Sequence, residues 1–335
     1  MKAIRKLCHS NFRSLHGIPL RHTCLKQASK HKSVSAKAPT MAAPVSTNCI
    51  PGLSGRLYRY QVAPHALQAF ESPETHEFDC FVIYIGGLTD GLLACSYVEP
   101  LARSCASLGW ACVQPVLSSS YTGYGTGSLS RDAGELANLL TFLRDHRGLK
   151  QACLVGHSTG CQDAVFFMRN AEPEIRSLVT GCVLQAPVSD REAAALENED
   201  VVGLLHKAER MVAENRAHEI LTLHYGFVPI TATRYISLFG RLGDDDMFSS
   251  DLTDKELQEL LSHMSGTKTL IAFSGGDEYV PATVDKAVLV KRIMTAMGDS
   301  ATAVVLDDAT HNLAAPPQAM LTFLSSVKDF LKQLG

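Results

Sequence analysis

Residues 153–161 read Cys-Leu-Val-Gly-His-Ser-Thr-Gly-Cys and place Ser158 between two glycines in a G-x-S-x-G pattern. The apolar run Ala152–Val155 predicts a buried strand, and the residues after the pattern are compatible with a helix. In such a strand–turn–helix elbow, the serine backbone is held in a strained turn and its hydroxyl stands above the carboxyl edge of a sheet. The pattern therefore predicts Ser158 as a nucleophile. The alternative is an ordinary Gly/Ser turn in a βα unit.

The overall composition is that of a globular protein, with 335 residues, 46% of them hydrophobic and 19% charged, and a formal net charge of −3. This length allows one large domain or two modest ones, and the charge argues against a general nucleic-acid surface. No apolar run reaches the roughly 18 residues that a membrane-spanning helix requires. The ten cysteines show neither C-x-x-C pairs nor metal-ligand spacing, so we expect buried thiols in a reduced compartment.

The amino-terminal segment is basic and free of acidic residues, since the first acid in the chain is Glu71. A basic, acid-free start with scattered Ser and Thr is typical of organelle transit peptides. We therefore expect residues 1–45 to be a disordered leader outside the fold that directs the protein to a mitochondrion or a plastid. A basic tail without an address is the alternative, and initiation at Met41 would give a cytoplasmic form.

Strand-like runs alternate with helical segments on both sides of the Ser158 elbow. Besides Ala152–Val155, the predicted strands are Leu57–Val62, Ala66–Glu71, Cys80–Ile85, Ala111–Val116, Val179–Gln185, Thr269–Phe273 and Ala301–Leu306. Such alternation implies right-handed crossovers and a mostly parallel central sheet flanked by helices. We assign residues 46–188 and 266–335 to this α/β core.

The alternation stops in residues 189–265. Helical periodicity appears there twice, around Glu192–Ile220 and Asp254–Met264, and the piece Tyr225–Asp251 between them is irregular. Few long apolar runs are available to build a separate core. We therefore expect a helical cap over the carboxyl edge of the sheet, where ligands bind in such folds. A second independent domain is the alternative.

A serine hydroxyl needs a base to accept its proton, and two later strand ends supply the partners. Asp277 follows the strand Thr269–Phe273, and His311 follows the strand Ala301–Leu306. The order Ser158, Asp277, His311 is the Ser…Asp…His order of α/β-hydrolases, in which the histidine is the base and the acid orients it.

Each of the two partners also has competing interpretations. Asp277 could be a turn or helix-capping acid, and its neighbour Glu278 is the nearest rival acid. His157 is a rival base by proximity, although a residue at that position of an elbow usually packs as a spacer. His311 could also be a structural histidine.

A tetrahedral oxyanion needs backbone donors, and two segments can supply them. Thr159 N–H follows the nucleophile, and the glycine-rich loop Gly86–Asp90 would add a second donor from Leu88 or, next to it, Thr89. A plain glycine turn is the alternative for this loop. Neither a P-loop nor an H-E-x-x-H motif is present, and three consecutive acids at 244–246 suit a solvated run better than a cation site. We therefore predict no cofactor and no metal.

Several longer segments resemble one family of α/β-hydrolases, the DUF1749 (UPF0613) proteins of fungi, plants and algae. The similar segments, within Tyr58 to Leu334, are Ile85–Leu92, Val113–Gly125, the elbow extended to Asp163, Pro229–Tyr235 and Asp245–Asp251. The family includes fungal esterases that hydrolyse the ester bonds of hydroxamate siderophores. The resemblance implies a serine ester hydrolase that uses Ser158, Asp277 and His311. The basic leader departs from such fungal relatives, so the siderophore substrate is not carried over.

The resulting hypothesis is a cofactor-free carboxylic-ester hydrolase that acts through an acyl-enzyme on a small-molecule ester. An acyltransferase and a non-catalytic protein that binds a small ligand are the alternatives. The predicted substrate contacts are Thr89, Tyr121 and Arg234. Arg234 would meet an anionic or polar group of the substrate, and a salt bridge within the cap is its alternative role.

Overall fold

The computed structural model describes residues 52–196 and 200–335. Its centre is a sheet in which eight described strands lie in the order β1-β2-β4-β3-β5-β6-β9-β10. These are β1 Arg56–Gln61, β2 Leu67–Ser72, β3 Cys80–Ile85, β4 Trp110–Val116, β5 Gln151–His157, β6 Val179–Gln185, β9 Lys268–Ser274 and β10 Ala301–Leu306. Only β2 runs against its neighbours, so the prediction of a mostly parallel sheet is confirmed. The carboxyl ends of β3, β5, β6, β9 and β10 therefore meet at one edge.

Helices cover both faces of this sheet. The core helices are α1 Val98–Ala106, α2 Leu129–Arg147, α3 Gly160–Asn170, α4 Pro173–Arg176, α8 Asp254–Leu261, α9 Lys286–Met297 and α10 Pro317–Leu334. Apolar side chains of α2, α3, α8 and α9 pack on one face, and those of α1 and α10 pack on the other. Strands buried on both faces read as continuous apolar runs, which explains why β3 and β5 are readable from sequence. No helix in the described ranges has the length and apolarity needed to cross a bilayer.

The insertion after β6 contains a β-hairpin as well as helices, and here the structure departs from the predicted boundaries. Its helices are α5 Asp190–Leu196, α6 Val201–Ala213 and α7 Ala232–Phe239, and its hairpin pairs β7 Ile220–His224 with β8 Val228–Thr231. They share a small apolar core of their own, to which Tyr124 of the main domain contributes. The segment read as irregular thus contains one strand of the hairpin and helix α7.

Helix α8 was predicted as part of the cap, but it packs in the main core. Its buried side chains Leu257 and Leu261 belong to the same apolar cluster as Ile293 of α9. Helical periodicity shows that one face of a helix is apolar, but it does not show whether a cap or the central sheet covers that face. The sequence could therefore not place α8 in the main core. The expectation for residues 1–45, including the transit peptide, lies outside the described residues.

Candidate active site

Ser158 lies at the turn between β5 and α3, with a backbone φ of +53°. A non-glycine residue in this left-handed region is strained by roughly 1–3 kcal/mol. The flanking glycines allow a very close approach, since a Cβ on Gly156 would lie 2.3 Å from the Gly160 carbonyl oxygen, and a Cβ on Gly160 would lie 2.3 Å from the Ile85 carbonyl oxygen. The local sequence therefore forms the elbow geometry that its pattern predicts.

His311 and Asp277 are joined by a hydrogen bond at the carboxyl edge of the sheet. The imidazole Nδ1 lies 2.8 Å from Asp277 Oδ2, and both side chains are buried. The other carboxylate oxygen of Asp277 accepts a hydrogen bond from the backbone N–H of Tyr279 at 3.0 Å. Because a carboxylate only accepts, this contact places the imidazole proton on Nδ1 and leaves Nε2 as the atom that can take a proton.

Ser158 and His311 line the same cavity, which has a volume of about 400 Å³. In the part of the chain that the structure describes, no hydrogen bond joins Ser158 Oγ to the imidazole. Such contacts are often long in hydrolases without substrate and shorten when substrate binds. The structure thus brings the three residues to one cavity edge, with the Asp–His contact formed.

The loop after β3 packs directly against the serine. A Cβ on Gly87 would lie 2.7 Å from Ser158 Cβ and 3.3 Å from Ser158 Oγ, so only glycine fits there. Asp90 Oδ2 accepts the Gly87 N–H at 2.8 Å and holds the loop in this position. Among the described residues, the backbone N–H groups of Leu88 and Thr159 have no hydrogen-bond acceptor. Leu88 follows the glycine that packs on Ser158, and Thr159 follows Ser158 itself, so their role as oxyanion donors stays a prediction.

His157 is held by Gln185, a residue that sequence reasoning missed. Its Nδ1 is hydrogen-bonded to Gln185 Oε1, which also accepts the Tyr97 hydroxyl at 3.0 Å. Burial lowers the pKa of His157 to about 3, with the neighbouring His311 as a smaller cause. A neutral, buried imidazole of such low basicity argues for His157 as a packing spacer rather than the base.

Gln185 also supports His311, because its Nε2 donates to the His311 carbonyl oxygen at 2.9 Å. The signal that could have found it is a polar residue at the carboxyl end of an otherwise apolar parallel strand, β6. Glu278, the rival acid, accepts the His311 backbone N–H at 2.8 Å through Oε2. Glu278 therefore positions the backbone of His311, and Asp277 contacts its ring.

The structure places only one of the three predicted substrate contacts in the lining of the main cavity. Thr89 lines the cavity together with Ser158. Tyr121 does not; its side chain is 52% exposed, and its ring packs so closely on Gly91 that a Cβ there would lie 2.1 Å away. Arg234 is only 4% exposed and donates two hydrogen bonds to Asp245, at 2.6 and 3.1 Å. The salt bridge is thus the contact that the structure shows for Arg234.

Behind the Gly86–Leu88 loop lies a second, smaller compartment of about 30 Å³. Three buried carboxyl groups face it, Asp132, Asp163 and Asp245, with Arg234 as their shared cation. Burial raises the pKa of Asp163 well above its ordinary value, and the neighbouring carboxylates add to this rise.

The main cavity has a marked charge pattern. Its described lining contains no lysine or arginine, but it contains Asp90, Asp190 and Glu278. Aromatic rings also line it, from Tyr225, Phe227, Phe239 and Tyr279. Burial raises the pKa of Asp190 to about 8. Within the described lining, an anionic group would find no lysine or arginine to pair with.

A family model described as "Protein of unknown function (DUF1749)" matches residues 43–332. The chain belongs to the DUF1749 family. A UPF0613 protein of Schizosaccharomyces pombe is 30% identical over 283 residues, covering 75% of this chain and 88% of that protein. The fusarinine C esterase of Aspergillus fumigatus is 28% identical over 328 residues, covering 80% of this chain and 92% of the esterase.

Comparison with a solved structure identifies the fold of this DUF1749 chain. The siderophore hydrolase EstB from Aspergillus fumigatus superimposes with a TM-score of 0.70 at 27% identity, over 84% of this chain and 98% of EstB. The α/β-hydrolase fold predicted from the sequence is thereby confirmed. The names of these relatives support an ester hydrolase of this fold.

Proposed function

We propose that this protein is a serine-dependent carboxylic-ester hydrolase that acts on a small-molecule ester. The observation that carries the proposal is the Nδ1–Oδ2 hydrogen bond between His311 and Asp277, at the edge of the cavity that the strained Ser158 also lines. Nucleophile, base and orienting acid are the groups that acyl transfer requires. The cavity volume of about 400 Å³ suits a small molecule.

In the first half-reaction, Ser158 Oγ attacks the ester carbonyl carbon while His311 Nε2 takes the hydroxyl proton. The tetrahedral oxyanion receives hydrogen bonds from Leu88 N–H and Thr159 N–H, each typically worth about 3 kcal/mol in the transition state. The carbon–alkoxy bond then breaks, and the imidazolium gives its proton to the leaving alkoxide. Asp277 stabilises the imidazolium and keeps the ring in the required tautomer.

In the second half-reaction, water replaces the alcohol. His311 takes a proton from this water, whose oxygen attacks the acyl carbon. The bond to Ser158 Oγ breaks, Oγ regains its proton from His311, and the carboxylic acid leaves. The same acyl-enzyme could pass its acyl group to an alcohol or an amine in place of water. The experiment must therefore include such an acceptor.

A fluorophosphonate probe on the full-length protein tests the nucleophile. We expect a single covalent adduct, located by mass spectrometry on the peptide that contains Ser158, with parallel loss of p-nitrophenyl acetate hydrolysis. Product analysis with an added alcohol or amine separates hydrolysis from acyl transfer. A folded protein that neither labels nor turns over esters would contradict the proposal and favour ligand binding without catalysis.

The cavity charges predict which esters are preferred. Aromatic rings in a described lining that has no lysine or arginine favour a cationic group, because a cation over an aromatic face gains about 0.5–2 kcal/mol. We expect choline acetate to show roughly tenfold higher kcat/KM than 3,3-dimethylbutyl acetate, its neutral isostere, and an anionic half-ester of succinate to be slowest. Initial rates at low and high salt measure this. A preference for the neutral or anionic ester would overturn it.

A further inference from the structure

A cluster of three metal-ligating side chains lies directly beside Ser158 and has no part in the proposed reaction as a reacting group. Asp90, Cys95 and His157 each offer one ligand atom, and these atoms all lie within 4.8 Å of one another. His157 Nε2 and Asp90 Oδ2 are 3.9 Å apart. All three residues line the main cavity, so the cluster is open to a solute.

The hydrogen bonds around Gln185 determine the tautomer of His157. Gln185 Nε2 donates to the His311 carbonyl oxygen, so the other end of the amide, Oε1, must face Tyr97 and His157. A carbonyl oxygen only accepts, and His157 Nδ1 therefore carries the proton. The lone pair of His157 Nε2 is left for the cluster. Metal-binding histidines almost always donate their second N–H to such an acceptor.

Cys95 has a neighbour suited to a thiolate. The hydroxyl groups of Tyr84 and Tyr97 are among the electrostatic contacts of its sulfur. Tyr84 is buried, and its hydroxyl interacts with the Cys95 sulfur and the Tyr97 hydroxyl. A thiolate formed on metal binding would accept a hydrogen bond from the Tyr84 hydroxyl, which stabilises the ligand in the way that outer-shell partners do.

The donor set indicates which cation would bind. An imidazole nitrogen, a thiolate sulfur and a carboxylate oxygen suit Zn²⁺ and similar borderline cations, and do not suit Mg²⁺ or Ca²⁺. In a tetrahedral zinc site, nitrogen and oxygen ligands stand about 3.3 Å apart, so Asp90 and His157 would need to approach by roughly half an ångström. The fourth position would face the cavity.

We propose that Asp90, Cys95 and His157 form a Zn²⁺ site and that its occupation inhibits the neighbouring serine. Binding releases the Cys95 thiol proton to solvent and draws Asp90 Oδ2 away from Gly87 N–H, the contact that holds the loop carrying Leu88. Inhibition rests on the proposed hydrolase function; metal binding does not. The ligands come from two separate segments, the loop between β3 and α1 and the end of β5, which explains why sequence spacing predicted no metal.

Cobalt(II) is the probe for the site, because a cobalt–thiolate bond gives a charge-transfer band that oxygen and nitrogen ligands do not. We expect the full-length protein to show this band, and Zn²⁺ to abolish it by displacement. Cys95→Ser should lose the band and bind Zn²⁺ at least tenfold more weakly in competition with a chromophoric chelator. Cys105→Ser, a matched control at another buried thiol, should keep both.

A second measurement needs no variant and serves if Cys95→Ser does not fold. Zn²⁺ should slow the alkylation of Cys95 by iodoacetamide in mildly destabilised protein, read by mass spectrometry, and leave that of Cys105 unchanged. A missing thiolate band, or equal alkylation of Cys95 with and without Zn²⁺, would overturn the site. If Zn²⁺ bound at Cys95 without any loss of ester hydrolysis, the metal site would stand and only the proposed inhibition would be contradicted. Absence of hydrolysis without metal would count against the proposed function alone.

Discussion

Ser158→Ala is expected to lower kcat for p-nitrophenyl acetate by roughly a millionfold, because the proposed reaction runs through an acyl-enzyme at the Ser158 hydroxyl. The backbone donors Leu88 N–H and Thr159 N–H remain, so a small residual rate above that of buffer should persist. Removal of one hydroxyl leaves the turn at φ +53° intact, so thermal unfolding should change little. Stopped-flow and steady-state kinetics, with buffer rates subtracted, measure the loss.

Ser274→Ala is a matched control for this variant. Ser274 is also a serine at the carboxyl end of a parallel strand, β9, and it is buried, but it does not line the cavity. Its replacement should change kcat by less than about tenfold. If Ser158→Ala retained a tenth or more of the native rate, with Ser274→Ala similar, Ser158 would not be the nucleophile.

Asp277→Asn should lower kcat by about ten-thousandfold. The carboxylate accepts the His311 Nδ1 proton at 2.8 Å, whereas an amide can present its NH₂ group to that atom. The proton would then move to Nε2, the nitrogen that must accept it from Ser158. Single-turnover kinetics should locate the loss in the acylation step, and circular dichroism should show an unchanged fold.

Glu278→Gln separates the two neighbouring acids. The glutamine side-chain oxygen can still accept the His311 backbone N–H, so the position of His311 should be preserved and the rate should fall by less than about tenfold. Equal losses in Asp277→Asn and Glu278→Gln would indicate that the two acids share the role. A larger loss in Glu278→Gln would transfer it to Glu278.

The fold and the principal site residues could be predicted because each depends on a local pattern. Buried parallel strands are continuous apolar runs, and polar residues just after them mark the reactive edge. Ser158, Asp277 and His311 all follow such runs. Their catalytic roles stay predictions, since the geometry supplies only their proximity and the Asp277–His311 contact.

The parts that escaped prediction depend on contacts between distant segments. The hairpin β7–β8 has short strands joined at Tyr225 and Gly226, both with positive φ, and its apolar residues do not alternate over enough length to separate strand from helix. Gln185 gains its importance only when β6 lies beside β5 and β9. For Arg234 the sequence left two roles open, a substrate contact and a salt bridge within the cap, because it gives no sign of which carboxylates fold against the guanidinium.

The burial of Arg234 has a consequence for how an ester enters. Helix α7 carries this guanidinium, which also donates to the Tyr124 carbonyl oxygen of the main domain at 3.1 Å. Lifting the cap as a lid would break this contact and leave a buried guanidinium without that acceptor, at a cost of about 1–3 kcal/mol. At the hairpin tip, Tyr225 and Phe227 line the cavity yet are 46% and 60% exposed, so the tip lies between the cavity and solvent. We therefore expect substitutions at the hairpin tip to change which esters are preferred while leaving the contacts of Ser158, Asp277 and His311 in place.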